Sequence, residues 1–372
     1  MLQLPVMMNM IKTMKIILFL LFSGIFTVFS AEPIERPLRQ LVTNNPFSNR
    51  QHSQMPLLLT LNGYDQALTQ QYIEQYTSAG GRQSLANILR RSEPYLAFIR
   101  SEVERRGMPI EIMYLPVIES AFVPNAVSRA GASGLWQFMR NSIGPYDMAI
   151  NEWKDERRDF WKSTLGALDK LEDEYNRLGC WELTLAAYNA GMGTVRNAQQ
   201  RHPDADYWEL SRLRAFRNET INFVPRLLAV SMILSNPRQF GIEAVWPEDP
   251  QWTRIPVGRS VDLNLLAEYA GIDNTELKNA NRELNYGITP PYPEYHLKVP
   301  LDHVQAIVSV LENPELELIQ YYFHTIRSGD TLSAISRRYG VSESQIHSHN
   351  PGLRDRYLRV GQQLIIPALG GQ

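Results

Sequence analysis

The sequence predicts a mainly α protein whose C-terminal third is an internal repeat. Two observations carry that reading. From Ser84 to about Asn236, apolar residues recur three and four apart, as in Leu85-Ile88-Leu89, Tyr95-Phe98-Ile99-Val103, Leu165-Leu168-Leu171 and Phe223-Leu227-Leu228-Val230. That spacing lays one stripe along a helix. Beyond Pro247, Pro250 and Pro256, two segments align without gaps. Leu263 pairs with Leu332, Leu266 with Ile335, Gly271 with Gly340, Leu277 with Ile346 and Asn281 with Asn350. Each copy ends in a short strand-like run before proline, Leu297-Lys298-Val299-Pro300 and Leu364-Ile365-Ile366-Pro367.

Composition sets the frame. The chain has 372 residues, 44% of them hydrophobic and 20% charged, with a formal net charge of −2. These are values for globular domains, and they exclude a wholly disordered or collagen-like chain. Near neutrality leaves no electrostatic footprint for nucleic acid. A single cysteine, Cys180, allows no intrachain disulfide and no multi-cysteine metal site; it reads as a packed small residue. The His residues have no metal-ligand spacing, since His347 and His349 point to different faces of one helix. No cofactor is implied.

The N-terminus reads as a targeting segment over residues 1–31. Lys12 and Lys15 precede the apolar run Ile16–Phe22, which continues to Phe29, and Val28-Phe29-Ser30-Ala31 offers small residues for cleavage. The core is short for a membrane span. An uncleaved signal anchor is the alternative; either way the rest is exported, to a periplasm or cell envelope. With no cysteine near the cleavage region, a lipoprotein anchor is not expected. Residues 32–83 form a lead-in, in which Leu68 to Tyr76 could be helical and Gly80-Gly81 ends that piece.

The central domain, 84–246, holds an odd carboxylate. Gly107-Met108-Pro109 opens a helix running Ile110 to Ile118, and Glu119 closes it beside Ala121 and Phe122. Apolar neighbours and the negative end of a helix both disfavour the anion, which raises the pKa. A glutamic acid protonated near neutral pH suits a general acid. From position alone, a surface Glu without a role reads as well. The next stretch, Asn125 to Gly134, is rich in small and turn-forming residues that let backbone approach a ligand. Leu135-Trp136-Gln137-Phe138-Met139 follows, where Trp136 or Met139 could meet a sugar ring or serve as core, and Gln137 could address hydroxyl or acetamido groups. Ala187-Tyr188-Asn189-Ala190-Gly191 puts two polar side chains at a helix end.

These three motifs in this order resemble the lytic transglycosylase domain, the goose-lysozyme-like domain of glycoside hydrolase family 23. The resemblance implies a lysozyme-like helical catalytic domain acting on peptidoglycan glycan strands. It implies that Glu119 is the catalytic acid and then base, and that Ser128, Gln137, Met139, Tyr188 and Asn189 line the substrate cleft. Glu219-Thr220-Ile221-Asn222-Phe223-Val224-Pro225 resembles the family's closing helix, with Glu219 near the peptide stem and Phe223 where a Tyr is usual. Most glycosidases need two carboxylates; the matched motifs show none obviously opposite Glu119, though Asp147, Glu152 and Asp155 are near in sequence. The implied reaction needs no recruited water: it cleaves the MurNAc-β-1,4-GlcNAc bond and leaves a 1,6-anhydro end. A water-using muramidase and a non-catalytic wall-binding scaffold are the alternatives.

The second repeat copy, with the strand Tyr321–Ile326 and then Arg327-Ser328-Gly329-Asp330-Thr331-Leu332, resembles a LysM domain, a βααβ module that binds N-acetylglucosamine-containing glycans. The resemblance implies a groove at Gly329, Asp330, Thr331 and Leu332 and at Asn350, Pro351, Gly352 and Leu353. Asp330 also reads as a helix cap, and Asn350-Pro351-Gly352 as a turn. The first copy, 252–301, lacks the Gly-Asp-Thr-Leu signature and reads as a degenerate LysM-like module. A linker helix within 302–320 joins it to the LysM domain, 321–368. No obligate protein partner is implied.

Overall fold

The computed structural model describes residues 58–151, 153–243, 249–350, 352–353 and 358–369. The targeting segment, the first half of the lead-in, Glu152, Pro247 and Pro351 lie outside the described residues. Among the described residues no helix is long and apolar enough to cross a membrane.

Helix α1 (Ala67–Thr77) ends at Ser78, and α2 (Ala79–Arg105) starts immediately. The expectation that Gly80-Gly81 ends the first helix is corrected here. The Ser78 hydroxyl accepts from Gly81 N and caps α2, so the glycines sit in its first turn. A Cβ on Gly81 would fall 2.2 Å from Gln75 O, so glycine lets α2 start against the last turn of α1. The stripe of α2 buries Leu85, Leu89, Leu96, Phe98, Ile99 and Val103.

The predicted helix after Pro109 divides in two. Ile110–Tyr114 is a tighter 3₁₀ turn, and α3 (Leu115–Glu119) completes it, with Pro116 in the first turn. Proline fits there because it has no N–H to lose. Helix α4 (Phe160–Leu178) is capped by the Asp159 carboxylate, which accepts from Trp161 N and Lys162 N. Then come α5 (Trp181–Ala190), α6 (Met192–Arg201), α7 (Tyr207–Arg212) and α8 (Asn218–Ser235). Helix α8 runs through the centre and buries Val224, Leu227, Leu228, Val230 and Ile233. One apolar core spans Leu61 to Ile242 and takes in Trp252 and Ala280 from beyond the helices.

Both repeat copies are βααβ. The first has β1 (Trp252–Pro256), α9 (Leu263–Ala270), α10 (Asn274–Ala280) and β2 (His296–Pro300), the strands antiparallel with Ile255 opposite Leu297. Helix α11 (Val304–Glu312) follows. The second has β3 (Tyr321–Thr325), α12 (Leu332–Tyr339), α13 (Glu343–His349) and β4 (Gln363–Pro367), with Phe323 opposite Ile365.

The repeat has a physical basis in its paired asparagines. Asn281 Nδ2 donates to Leu277 O and Lys298 O, and its Oδ1 accepts from Lys298 N. Asn350 does the same with Ile346 O, Ile365 O and Ile365 N. One amide thus ties the second helix of each copy to its last strand.

The first copy is joined to the helical domain by buried polar contacts. Lys298 is fully buried, and its ammonium meets the Asp159 carboxylate at 2.8 Å and the Glu283 carboxylate. Burial opposes the Asp159 charge, but the Lys298 ammonium outweighs it and holds that carboxyl below its ordinary range. Tyr295 Oη donates to Glu283 at 2.7 Å. Backbone bonds run beside this cluster, Asp155 N to Glu283 O at 2.8 Å and Asn285 N to Trp153 O at 2.9 Å.

Candidate active site

Glu119 ends α3, and the chain then turns sharply. Ala121 and Phe122 both have positive φ, 53° and 56°. Arg91 Nε donates to Ala121 O at 2.8 Å, and Ser120 Oγ donates to Leu135 O at 2.9 Å. The first contact ties this turn to α2, and the second ties it to the end of the small-residue loop that follows.

That loop is organised by Arg157. Its guanidinium grips Asp155 through Nε at 2.9 Å and Nη2 at 2.7 Å, and its Nη1 donates to Gly131 O at 2.8 Å and Phe138 O at 3.3 Å. Gly134 makes the closest approach. Its φ is 85°, and a Cβ there would lie 1.8 Å from Arg157 O. Gly134→Ala therefore forces the loop off Arg157 and imposes left-handed strain. We expect a loss of at least about 2 kcal/mol in unfolding free energy. Thermal denaturation checks the loss, and an unchanged midpoint would contradict it.

The loop, α3, α4, α5 and α8 enclose a cleft of about 790 Å³. Glu119, Ser128, Gln137, Met139, Tyr188, Asn189 and Glu219, proposed from the sequence, all line it. Gln137 Nε2 is committed to Gly134 O at 2.8 Å. Ser128 Oγ accepts from Ala132 N at 3.1 Å, which leaves its O–H to donate. Tyr188 Oη donates to Trp136 O at 2.8 Å, and Thr220 Oγ1 donates to Asn189 Oδ1 at 2.8 Å. Met139 is exposed, whereas Trp136 is fully buried, its indole N–H bonded to Thr164 Oγ1. Trp136 is therefore core, and of the two suggested ring platforms only Met139 is available. Phe223 also lines the cleft, almost wholly buried.

Burial pushes the Glu119 carboxyl up to about 8; Arg226 opposes the rise, Glu219 adds to it, and Lys170 opposes it. The side chain keeps some surface open to the cleft. Burial also raises Tyr188 well above its ordinary range, so it remains a neutral phenol.

Sequence reasoning missed Lys170, Glu174 and Arg226. Lys170 Nζ bonds Glu174 Oε1 at 2.6 Å and sits 4.4 Å from the centre of the Tyr188 ring. Arg226 Nη2 donates to Ile118 O at 3.4 Å, next to the catalytic candidate. The available signal was weak: Lys170 and Glu174 form an ordinary i, i+4 pair, while Glu219, Phe223 and Arg226 share one helix face at i, i+4, i+7. Of the acids near in sequence, Asp155 is spent on Arg157 and Asp147 is exposed, facing Lys162.

In the second repeat copy, the expected cap is corrected. Thr331, not Asp330, caps α12, accepting from Ala334 N. Asp330 instead closes the preceding turn, accepting from Arg327 N at 2.7 Å and meeting His324 Nε2 at 3.0 Å. Leu332 is buried in the module's core, and the Asn350 amide is engaged by its own fold. Gly329, Thr331 and Gly352 are exposed, and Leu353 is partly buried. Tyr322 and Phe323 on β3 are exposed aromatics beside Ile365.

Three family profiles match the chain. They are the Transglycosylase SLT domain over residues 97–211, the LysM-like domain of lytic transglycosylase MltD over 251–315, and the LysM domain over 324–367. Membrane-bound lytic murein transglycosylase D of Escherichia coli K12 is 33% identical over 302 residues, which is 76% of this chain and 66% of that protein. The chain thus spans about two thirds of that relative's length. A putative tributyltin chloride resistance protein of an Alteromonas species is 42% identical over 109 residues, 29% of this chain and 53% of that one. A solved lytic transglycosylase Slt from Pseudomonas aeruginosa aligns with a TM-score of 0.31 and 21% identity over 41% of this chain and 25% of that one. With an SLT domain, an MltD-type LysM-like domain and a LysM domain in that order, the chain belongs to the lytic murein transglycosylase family.

Proposed function

We propose that the protein is an exported, envelope-located enzyme that cuts the MurNAc-β-1,4-GlcNAc bond of peptidoglycan and leaves a 1,6-anhydro end. The observation that carries this is the Glu119 carboxyl, raised to about 8 inside a cleft lined by the sugar-facing candidates. Glu119 gives its proton to the glycosidic oxygen, and the bond from muramoyl C1 to that oxygen breaks. The substrate's own acetamido oxygen stabilises C1. Glu119, now a carboxylate, takes the proton of the muramoyl C6 hydroxyl as that oxygen closes on C1. One residue serves as acid and then base, which suits a carboxyl poised near neutral pH. Lys170 and Arg226 favour the carboxylate and ease the intermediate stage.

Ser128, Gln137, Met139, Tyr188, Asn189 and Glu219 hold the sugars and the stem. The LysM domain tethers the enzyme to the wall through Gly329, Asp330, Thr331 and Gly352, with Leu353 beside them. Leu332 and Asn350 act by shaping the groove, as their side chains are taken up by the fold.

Glu219 in the same cleft favours a second reading, a muramidase that uses Glu219 as base for water. Mass spectrometry of digested sacculi separates them. Anhydromuropeptides support the transglycosylase, new reducing ends support the muramidase, and absence of soluble product supports a non-catalytic scaffold.

A further inference from the structure

A second groove, of about 540 Å³, lies between the catalytic domain and the first repeat copy. Asn125 and Arg158 form its catalytic-domain wall, and Asn264, Lys278, Arg282 and Tyr286 are among the residues of the other. None of its lining residues is a carboxylate, while three are cations. Arg158 reaches its nearest acid, Asp155, only at 3.8 Å, and that acid is already doubly bonded to Arg157. Lys278 and Arg282 form no ion pair among the described residues. Arg282 donates to Asn279 Oδ1, but its Nε is buried with no acceptor among the described residues. The stem of Lys278 lies against Gly287, where a Cβ would stand 3.6 Å from Lys278 Cε. Asp262 is occupied in capping α9 and holding Asn264.

Such a groove lacks a counter-charge. The Lys278 ammonium, with no ion pair among the described residues, and the Arg282 and Arg158 guanidinium groups, flanked by amides and a tyrosine, suit a ligand with carboxylates and peptide groups. The groove also adjoins the catalytic cleft. Asn125 lines the groove and Ser128 lines the cleft, so their walls are three positions apart in the chain, at most about 11 Å. A polymer held in the cleft can therefore reach the groove.

We infer that this groove is a subsite for the carboxylate-bearing peptide stem of a murein strand, formed jointly by the catalytic domain and the first repeat copy, with Lys278, Arg282 and Arg158 as its anion contacts. The inference rests on the peptidoglycan reading above and adds to it a preference for strands that still carry their stems. The first copy then acts as half of a binding site rather than as an independent glycan module.

The test uses the full chain with Glu119→Gln, so that strands are bound and not cut. It is titrated with soluble murein oligomers bearing stems, and with the same oligomers stripped of stems by an amidase. The expected result is tighter binding of the stem-bearing oligomers, and a loss of about tenfold for those oligomers alone on adding Lys278→Ala and Arg282→Ala. Equal affinity of the two oligomers, or a loss shared by both, overturns the proposal. Because binding is read without turnover, failure of the cleavage reading shows separately, as absent products from the unsubstituted enzyme. Circular dichroism verifies that the partly buried Lys278 and Arg282 can be replaced without unfolding.

Discussion

Glu119→Gln should lower kcat by about 10²- to 10⁴-fold and leave KM almost unchanged, because it removes general acid–base catalysis and keeps the side chain's shape. The same substitution should make the protein more stable at neutral pH. Glu119 titrates near an ordinary 4.5 when unfolded and near 8 in the fold, pushed up by burial, with Arg226 and Lys170 opposing and Glu219 adding. Between those values the native state binds more protons than the unfolded chain, so stability falls as pH rises. The cost is absent well below 4.5 and complete above about 8. Glutamine is neutral throughout, so the variant should gain on the order of 3 kcal/mol at pH 7 and nothing at pH 4. Paired denaturation curves at the two pH values check this. An inactive variant with no gain at pH 7 would mean that the carboxyl is not raised. In the parent enzyme, the acid form is lost as pH rises through about 8, and kcat/KM should decline there.

Lys298→Met should cost about 3–5 kcal/mol of unfolding free energy, because it leaves Asp159 and Glu283 buried without their shared cation. Asp159 also caps α4, which carries Lys170 and Glu174 into the cleft, so the damage should extend to activity. Replacing all three together, Lys298→Met with Asp159→Asn and Glu283→Gln, removes the unpaired charges and should recover much of the loss. Urea denaturation of the single and triple variants measures both effects. A single variant within about 0.5 kcal/mol of the parent would show that the cluster does not join the two parts.

Local features were legible in the sequence. The helical stripe, the termination of α3 at Glu119 and the repeat all rest on neighbouring residues whose spacing states the geometry. The asparagine pair was visible as a repeat position, although its bonds to the last strand were not. What escaped was assembled from a distance. Asp159 and Lys298 are 139 residues apart, and a lysine within Leu297-Lys298-Val299 reads as an outward-facing strand residue. Lys170 and Glu174 look like a solvated helix pair until α5 closes over them. Trp136 was ambiguous for a similar reason: an aromatic beside a small-residue loop fits sugar or core equally well, and its full burial and Thr164 partner decide.

The central claim is that Glu119 closes the sugar on itself without water. Digestion of purified sacculi in water labelled with heavy oxygen, followed by mass spectrometry of the muropeptides, tests it most directly. The account predicts anhydro ends that carry no label, and no new ends at all with Glu119→Gln. Labelled reducing ends from the parent enzyme would contradict it.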